Sequence, residues 1–264
     1  MRQGFVRRFR VFLRIVFVMV ITLVLTLGTG IILYSNGWLI PNEPNYCRVR
    51  GVDVSSWQGD IDWNILSEQT DFVYIKATEG SGLVDPKFET NLSGAVSTKL
   101  RVGCYMFFSF ESKGETQASN FIRNVPKYDN MLPPAVDIEF YNGNEAISPS
   151  RDEVEHELNI LLNELEVYYR VRPIIYATRA SYEKYISGKY QKYDIWIRDV
   201  FQEPQLPDGR EWKFWQYSDK GRLRGYSGDE QFIDLNAFKG SKYEFRHYPE
   251  VLSPLDEEED YPVF

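Results

Sequence analysis

The chain has 264 residues, 43% hydrophobic and 26% charged, with a formal net charge of −8. This is the balance of a globular protein with enough apolar content for a sizeable core, and it excludes a disordered chain or a collagen-like repeat. The acidity excludes a nucleic-acid binder, which needs a basic face to displace counterions from phosphate.

The charge is unevenly placed. Arg2, Arg7, Arg8, Arg10 and Arg14 precede the uncharged run IVFVMVITLVLTLGTGIIL over 15–33. At 1.5 Å per helical residue, about 20 apolar residues cross a hydrocarbon layer of roughly 30 Å. The run is too long for the core of a cleavable signal peptide, and no small-x-small site follows it before Tyr34, so the sequence predicts an uncleaved transmembrane helix. Arginines on its short side stay cytoplasmic, which exports everything after it. The expected organisation is a basic cytoplasmic segment over 1–14, a transmembrane helix over 15–34, a linker over 35–49, a catalytic domain over 50–247 and an acidic tail over 248–264. Cys47 and Cys104 could pair in an exported compartment, but Cys104 lies in an apolar run and reads more naturally as a small buried hydrophobe.

Strand-like runs follow at 51–55, 72–78, 102–110, 135–140 and 174–178, each leading into a helix-like stretch. The clearest helix covers 151–169, where Ser150 and Glu153 fit a capping box and Val154, Leu158, Leu161, Leu162 and Leu165 form one apolar face. Three further strands, at 194–200, 212–217 and 231–235, are joined only by turn-rich segments. Eight strands, of which the first five carry helices, predict an α/β fold: an irregular (β/α) barrel of five βα units followed by three strands, preceded by the membrane helix. A doubly wound open sheet is the rival, but there is no GxGxxG turn.

The run Ala135 to Phe140 is the most informative. Alternation puts Val136, Ile138 and Phe140 on one face and Asp137 with Glu139 on the other, at the C-terminal end of a strand where barrel active sites form. Taken alone the pair fits a structural network with Lys76 or Arg198 as well as it fits a catalytic site. Alternation likewise sets Asp53 in GVDVS and Asp234 in FIDLN away from the aliphatic face. In a closed barrel the first and last strands are neighbours, so four carboxylates converge in one pocket. Crowding and burial then keep a carboxylic acid protonated near neutral pH, the general acid that glycoside cleavage requires. A divalent cation is the other use for four acids. His156 and Glu157 begin a zinc motif that Ile160 breaks, and no G-x-S-x-G is present.

These motifs together resemble the glycoside hydrolase family 25 lysozymes, the muramidases of bacterial peptidoglycan. GVDVSSWQGDIDW is similar to that family's opening strand, FVYIKATEG with Asp85 and Phe88 to its second segment, and PAVDIEF to its catalytic strand, with PIIYAT, FWQYS and FIDLN following in order. The resemblance implies that Glu139 is the proton donor, Asp137 its partner, and Asp53 and Asp234 further acids of the groove, in a retaining muramidase acting without metal or cofactor. It implies substrate contacts at Tyr74, Lys76, Tyr105, Tyr176, Trp196 and Gln216. The expected partners are peptidoglycan glycan strands and, through the N-terminal helix, the bacterial inner membrane. Met106, Arg198 and Asp199 depart from the family's usual residues. A hydrolase of another N-acetylhexosamine polymer and a non-catalytic glycan-binding barrel are the alternatives.

Overall fold

The structure is a computed structural model that describes residues 2–140 and 149–250, with side chains from residue 7 onward. It divides into two units, the break falling after Pro41. In the first, α1 (Arg2–Ser35) contains the 29-residue stretch Arg7–Ser35, within which an 18-residue window reaches a mean hydropathy of 2.7, long and apolar enough to cross a membrane.

The second unit opens with β1 (Val49–Val54), the 3-10 turn Ser56–Gln58 and α2 (Trp63–Ser67). Then come β2 (Phe72–Glu79), β3 (Leu83–Val84), α3 (Phe88–Val96), β4 (Arg101–Phe107), α4 (Gly114–Asn124), β5 (Ala135–Ile138) and α5 (Arg151–Tyr169). The chain continues through β6 (Ile174–Thr178), α6 (Arg179–Ser181), the π-helical turn Tyr182–Ile186, β7 (Ile195–Arg198), β8 (Phe214–Gly221), β9 (Ile233–Phe238) and α7 (Lys242–His247). Helix α5 forms as its sequence dictates: the Ser150–Glu153 capping box is made and all five apolar-face residues are buried.

Eight strands close in the order β1-β9-β8-β7-β6-β5-β4-β2, with β2 pairing back to β1, so the barrel is closed and mixed. Two features go beyond the sequence reading. The short β3 pairs antiparallel with the end of β2, and β9 runs antiparallel to both its neighbours. The connection between β8 and β9, over 222–232, is shorter than the dozen or more residues of a parallel crossover, and the chain reverses direction. The segment expected as linker is fastened from Asn42 onward. Asn42 Nδ2 donates to the carbonyl of Tyr217 at 3.2 Å, Tyr46 bonds Glu203, and the Arg50 guanidinium lies 5.3 Å from the centre of the Tyr217 ring. Cys47 and Cys104 are buried free thiols. The expected acidic tail lies largely outside the described residues, in 251–264.

Inside, large rings fill the lower barrel. Phe72 meets Phe214 edge to face at 5.4 Å, Tyr74 meets Trp196 at 4.8 Å, and Phe245 from α7 packs on Phe238 at 5.0 Å. The strands flanking β2 make room by lacking side chains at the paired positions: a Cβ at Gly51 would sit 2.2 Å from the Phe72 ring, and one at Gly103 would sit 2.2 Å from Tyr74. The apolar floor displaces polar side chains to the C-terminal ends of the strands.

Gly103→Ala forces a methyl into the Tyr74 ring, and overpacking of this kind costs about 1–3 kcal/mol. The urea midpoint of the full chain in detergent should fall accordingly; an unchanged midpoint would show that the ring gives way freely.

Candidate active site

Above that floor a cleft of about 710 Å³ is lined by Asp53, Asp137, Glu139 and Asp234 together with Lys76 and Tyr105. Strand alternation delivers each acid. Asp53 is two residues above Gly51 on the inner face of β1. Asp234 on β9 stands directly opposite it in the antiparallel register. Asp137 follows inward-facing Ala135 on β5, and Glu139 lies just past that strand's end. The four acids predicted from sequence are therefore brought together by three strands.

The bases expected to neutralise them are partly engaged elsewhere. Lys76 Nζ contacts Glu79 at 2.8 Å and Arg198 Nη2 contacts Asp219 at 2.8 Å. Asp53 Oδ2 instead accepts from Gln216 Nε2 at 2.9 Å and from Asn236 Nδ2 at 2.7 Å. Asp137 is buried and its Oδ1 has no hydrogen-bond partner. A buried carboxylate oxygen left bare costs free energy, and Asp137 carries that cost at the lining of the cleft.

Of the residues expected to touch substrate, Lys76 and Tyr105 line the cleft. Tyr74 is wholly buried below it, its hydroxyl donating to the Pro133 carbonyl at 3.1 Å. Trp196 and Tyr176 are buried too, donating to Asn236 Oδ1 at 2.8 Å and Gln216 Oε1 at 2.9 Å. Gln216 contacts Asp53 from behind. These four belong to the support of the cleft rather than its lining, because the inner face of a narrow barrel has room for open space only above the layer that large rings fill. Sequence reasoning missed Asn236, although alternation from Asp234 points to it, and it missed Asp219, Lys220, Glu230 and Phe232, which line the cleft near the turn between β8 and β9. Met106, buried, alternates away from the cleft between Tyr105 and Phe107, which line it. The Asp199 carboxylate accepts from the amides of Phe201 and Gln202 in a turn. A second cavity of about 540 Å³ contains His156 and Glu157 but none of the four acids. Glu157 holds the Gly114 amide at 2.6 Å, a bond between α5 and α4.

The comparisons decide the family. Residues 52–226 match Glycosyl hydrolases family 25. The chain belongs to this family. It is 49% identical to a family 25 glycosyl hydrolase of known structure from Bacillus anthracis, with a TM-score of 0.76 over 79% of this chain and 97% of that one. A bacterial lysozyme structure from Streptomyces coelicolor is 30% identical, with a TM-score of 0.67 over 75% of this chain and 95% of the other. Lysozyme M1 from Streptomyces globisporus is 34% identical over 207 residues, 73% of this chain and 68% of that protein.

In this family 25 glycoside hydrolase the electrostatics follow from burial. Desolvation raises the Glu139 carboxyl above its ordinary range and the Asp53 charge adds to it, while Arg198 and Lys76 oppose. Asp137 is pushed well above the carboxylate range by desolvation first, then by Glu139 and Asp53. Asp234 is pushed up by desolvation and by Asp53. Each gives up stability for function. A carboxyl with a raised folded-state pKa contributes stability that is fully present below its unfolded pKa and lost as pH rises through the folded one. Asp137→Asn cannot ionise and escapes that loss. Its melting temperature should exceed the wild type's at pH 7, with the gain shrinking as pH falls towards about 3.9. A variant no more stable at pH 7 would contradict the electrostatic account of Asp137.

Proposed function

We propose that this hydrolase is a lysozyme that cleaves the β-1,4 bond between N-acetylmuramic acid and N-acetylglucosamine of peptidoglycan, with retention of configuration. The observation that carries the reading is the Asp137–Glu139 pair at the C-terminal end of β5 in a buried four-acid cluster, in a chain related to proteins named lysozymes. Glu139, raised by burial yet open to the cleft, holds the proton that the leaving oxygen needs.

Retention has two routes, and the strand favours one. Residues two apart on a strand have Cα atoms about 6.5–7 Å apart and side chains that project in parallel, a poor arrangement for carboxylates attacking from opposite faces of a sugar. Asp137 suits a different role. Its bare oxygen accepts from the N–H of the substrate's 2-acetamido group, directs that group's oxygen to the anomeric carbon and stabilises the positive charge that develops. The sugar then supplies its own nucleophile.

The N-terminal helix carries the membrane part of the proposal. With its arginines in the cytoplasm of a bacterium, it crosses the inner membrane once and presents the barrel to the wall. A short tether confines cleavage to strands within a few tens of Å of the membrane, which suits local work on a wall rather than release into the medium.

Glu139→Gln keeps the side chain's shape and removes the transferable proton. Release of reducing ends from purified peptidoglycan should drop 10²- to 10⁴-fold, about 3–5 kcal/mol of transition-state stabilisation. Activity within about tenfold of wild type in a folded variant removes Glu139 from the role. A thiazoline analogue of the cyclised intermediate should inhibit competitively, whereas a stable glycosyl ester trapped on Asp137, Asp53 or Asp234 would refute substrate participation and leave the lysozyme reading standing.

A further inference from the structure

Two hydrogen-bond chains end on one oxygen. The amides of Asn236 and Gln216 both donate to Asp53 Oδ2, at 2.7 and 2.9 Å. A carboxamide presents either its NH2 or its carbonyl to a neighbour, and the group on its far side decides which. The Trp196 indole N–H can only donate, and it takes Asn236 Oδ1 at 2.8 Å. The Tyr176 hydroxyl donates to Gln216 Oε1 at 2.9 Å. With both carbonyls occupied, both NH2 groups are turned to Asp53. The two rings are buried and meet edge to face at 4.9 Å, so neither is free to swing.

We propose that Trp196 and Tyr176 are positioning residues which, through the Asn236 and Gln216 amides, hold Asp53 as the ionised carboxylate of the four-acid cluster and leave Asp234 to carry a proton. Two carboxyls facing each other in register cannot both ionise cheaply. Of the other charged groups, Asp137 on β5 and Glu139 just past its end interact with Asp53 and oppose its ionisation, Asp219 on β8 opposes that of Asp234, and Arg198 from β7 favours both anions. Lys76 on β2 is bonded to Glu79 and Arg198 to Asp219. The amides break the tie. Burial raises Asp53, and the Asn236 and Gln216 hydrogen bonds are foremost among the influences that pull it back. A fixed anion at that place stabilises the positive charge that grows on a glycosyl unit in the transition state. This use of the charge rests on the lysozyme reading; the allocation of the proton does not.

Infrared titration of the full chain in detergent tests the allocation without any substrate. At neutral pH the protonated-carboxyl stretch should lose a component in Asp234→Asn and none in Asp53→Asn. The component that Asp53→Asn lacks should appear only on acidification. In Tyr176→Phe and in Trp196→Phe, the one removing only a hydroxyl and the other the indole N–H, its midpoint should move up by about one pH unit or more, a tenfold gain in proton affinity. The acid limb of kcat/KM on peptidoglycan should move with it while KM stays put, which a loss of packing alone would not produce. A neutral-pH component lost in Asp53→Asn, or a midpoint unmoved in folded Tyr176→Phe, overturns the proposal. Failure of the wild type to cut peptidoglycan would remove the lysozyme reading and leave the infrared result to judge the relay by itself.

Discussion

Four carboxyls sit where water has been largely removed, and the rest of the barrel is arranged around that cost. An unpaired anion in such a place is expensive, so each acid is either protonated, hydrogen-bonded or exposed to the cleft. Asp53 has two amide donors, Asp137 has a bare oxygen, and Glu139 is held between burial and the bases Arg198 and Lys76. The same desolvation that strains the fold keeps a proton available for transfer near neutral pH. A cleft lined with exposed, independently solvated acids would titrate low and have no proton to give.

The lower half of the barrel makes the upper half possible. Rings from Phe72, Tyr74, Trp196 and Phe214 fill the interior tightly enough that polar side chains have only the top layer to occupy. Gly51 and Gly103, on the strands either side of β2, leave room for the Phe72 and Tyr74 rings. The filling is also wiring: Trp196 and Tyr176 belong to the apolar core by their faces and to the acid cluster by their N–H and O–H. Packing and site therefore share residues, linked to Asp53 by two hydrogen bonds in series on each side.

Much of this was legible from residue order. Period-two alternation put Asp53, Asp137, Glu139 and Asp234 on inner faces, and closure of the barrel followed from the strand count. Alternation does not say how far up the barrel a side chain lies, and so Tyr74, Tyr176 and Trp196, read as substrate contacts, fall below the cleft. Nor does it show strand direction when the connection is a turn, so the antiparallel course of β9 comes only from the structure. The strap from Asn42 looked like linker because its prolines and polar residues carry no period; its attachments to Tyr217 and Glu203 are contacts between residues far apart in sequence. Asn236 was hidden by the acid two residues before it, although it shares that acid's face.

If this acid cluster cuts a muramyl bond with retention of configuration, the products carry the record. Proton NMR of peptidoglycan fragments within the first moments of digestion, followed by borohydride reduction and mass spectrometry, reads both the anomer and the sugar at the new reducing end. The account predicts the β-anomer of N-acetylmuramic acid as the first product, recovered as muramitol. Initial α-anomer, or glucosaminitol at the reduced ends, would contradict it.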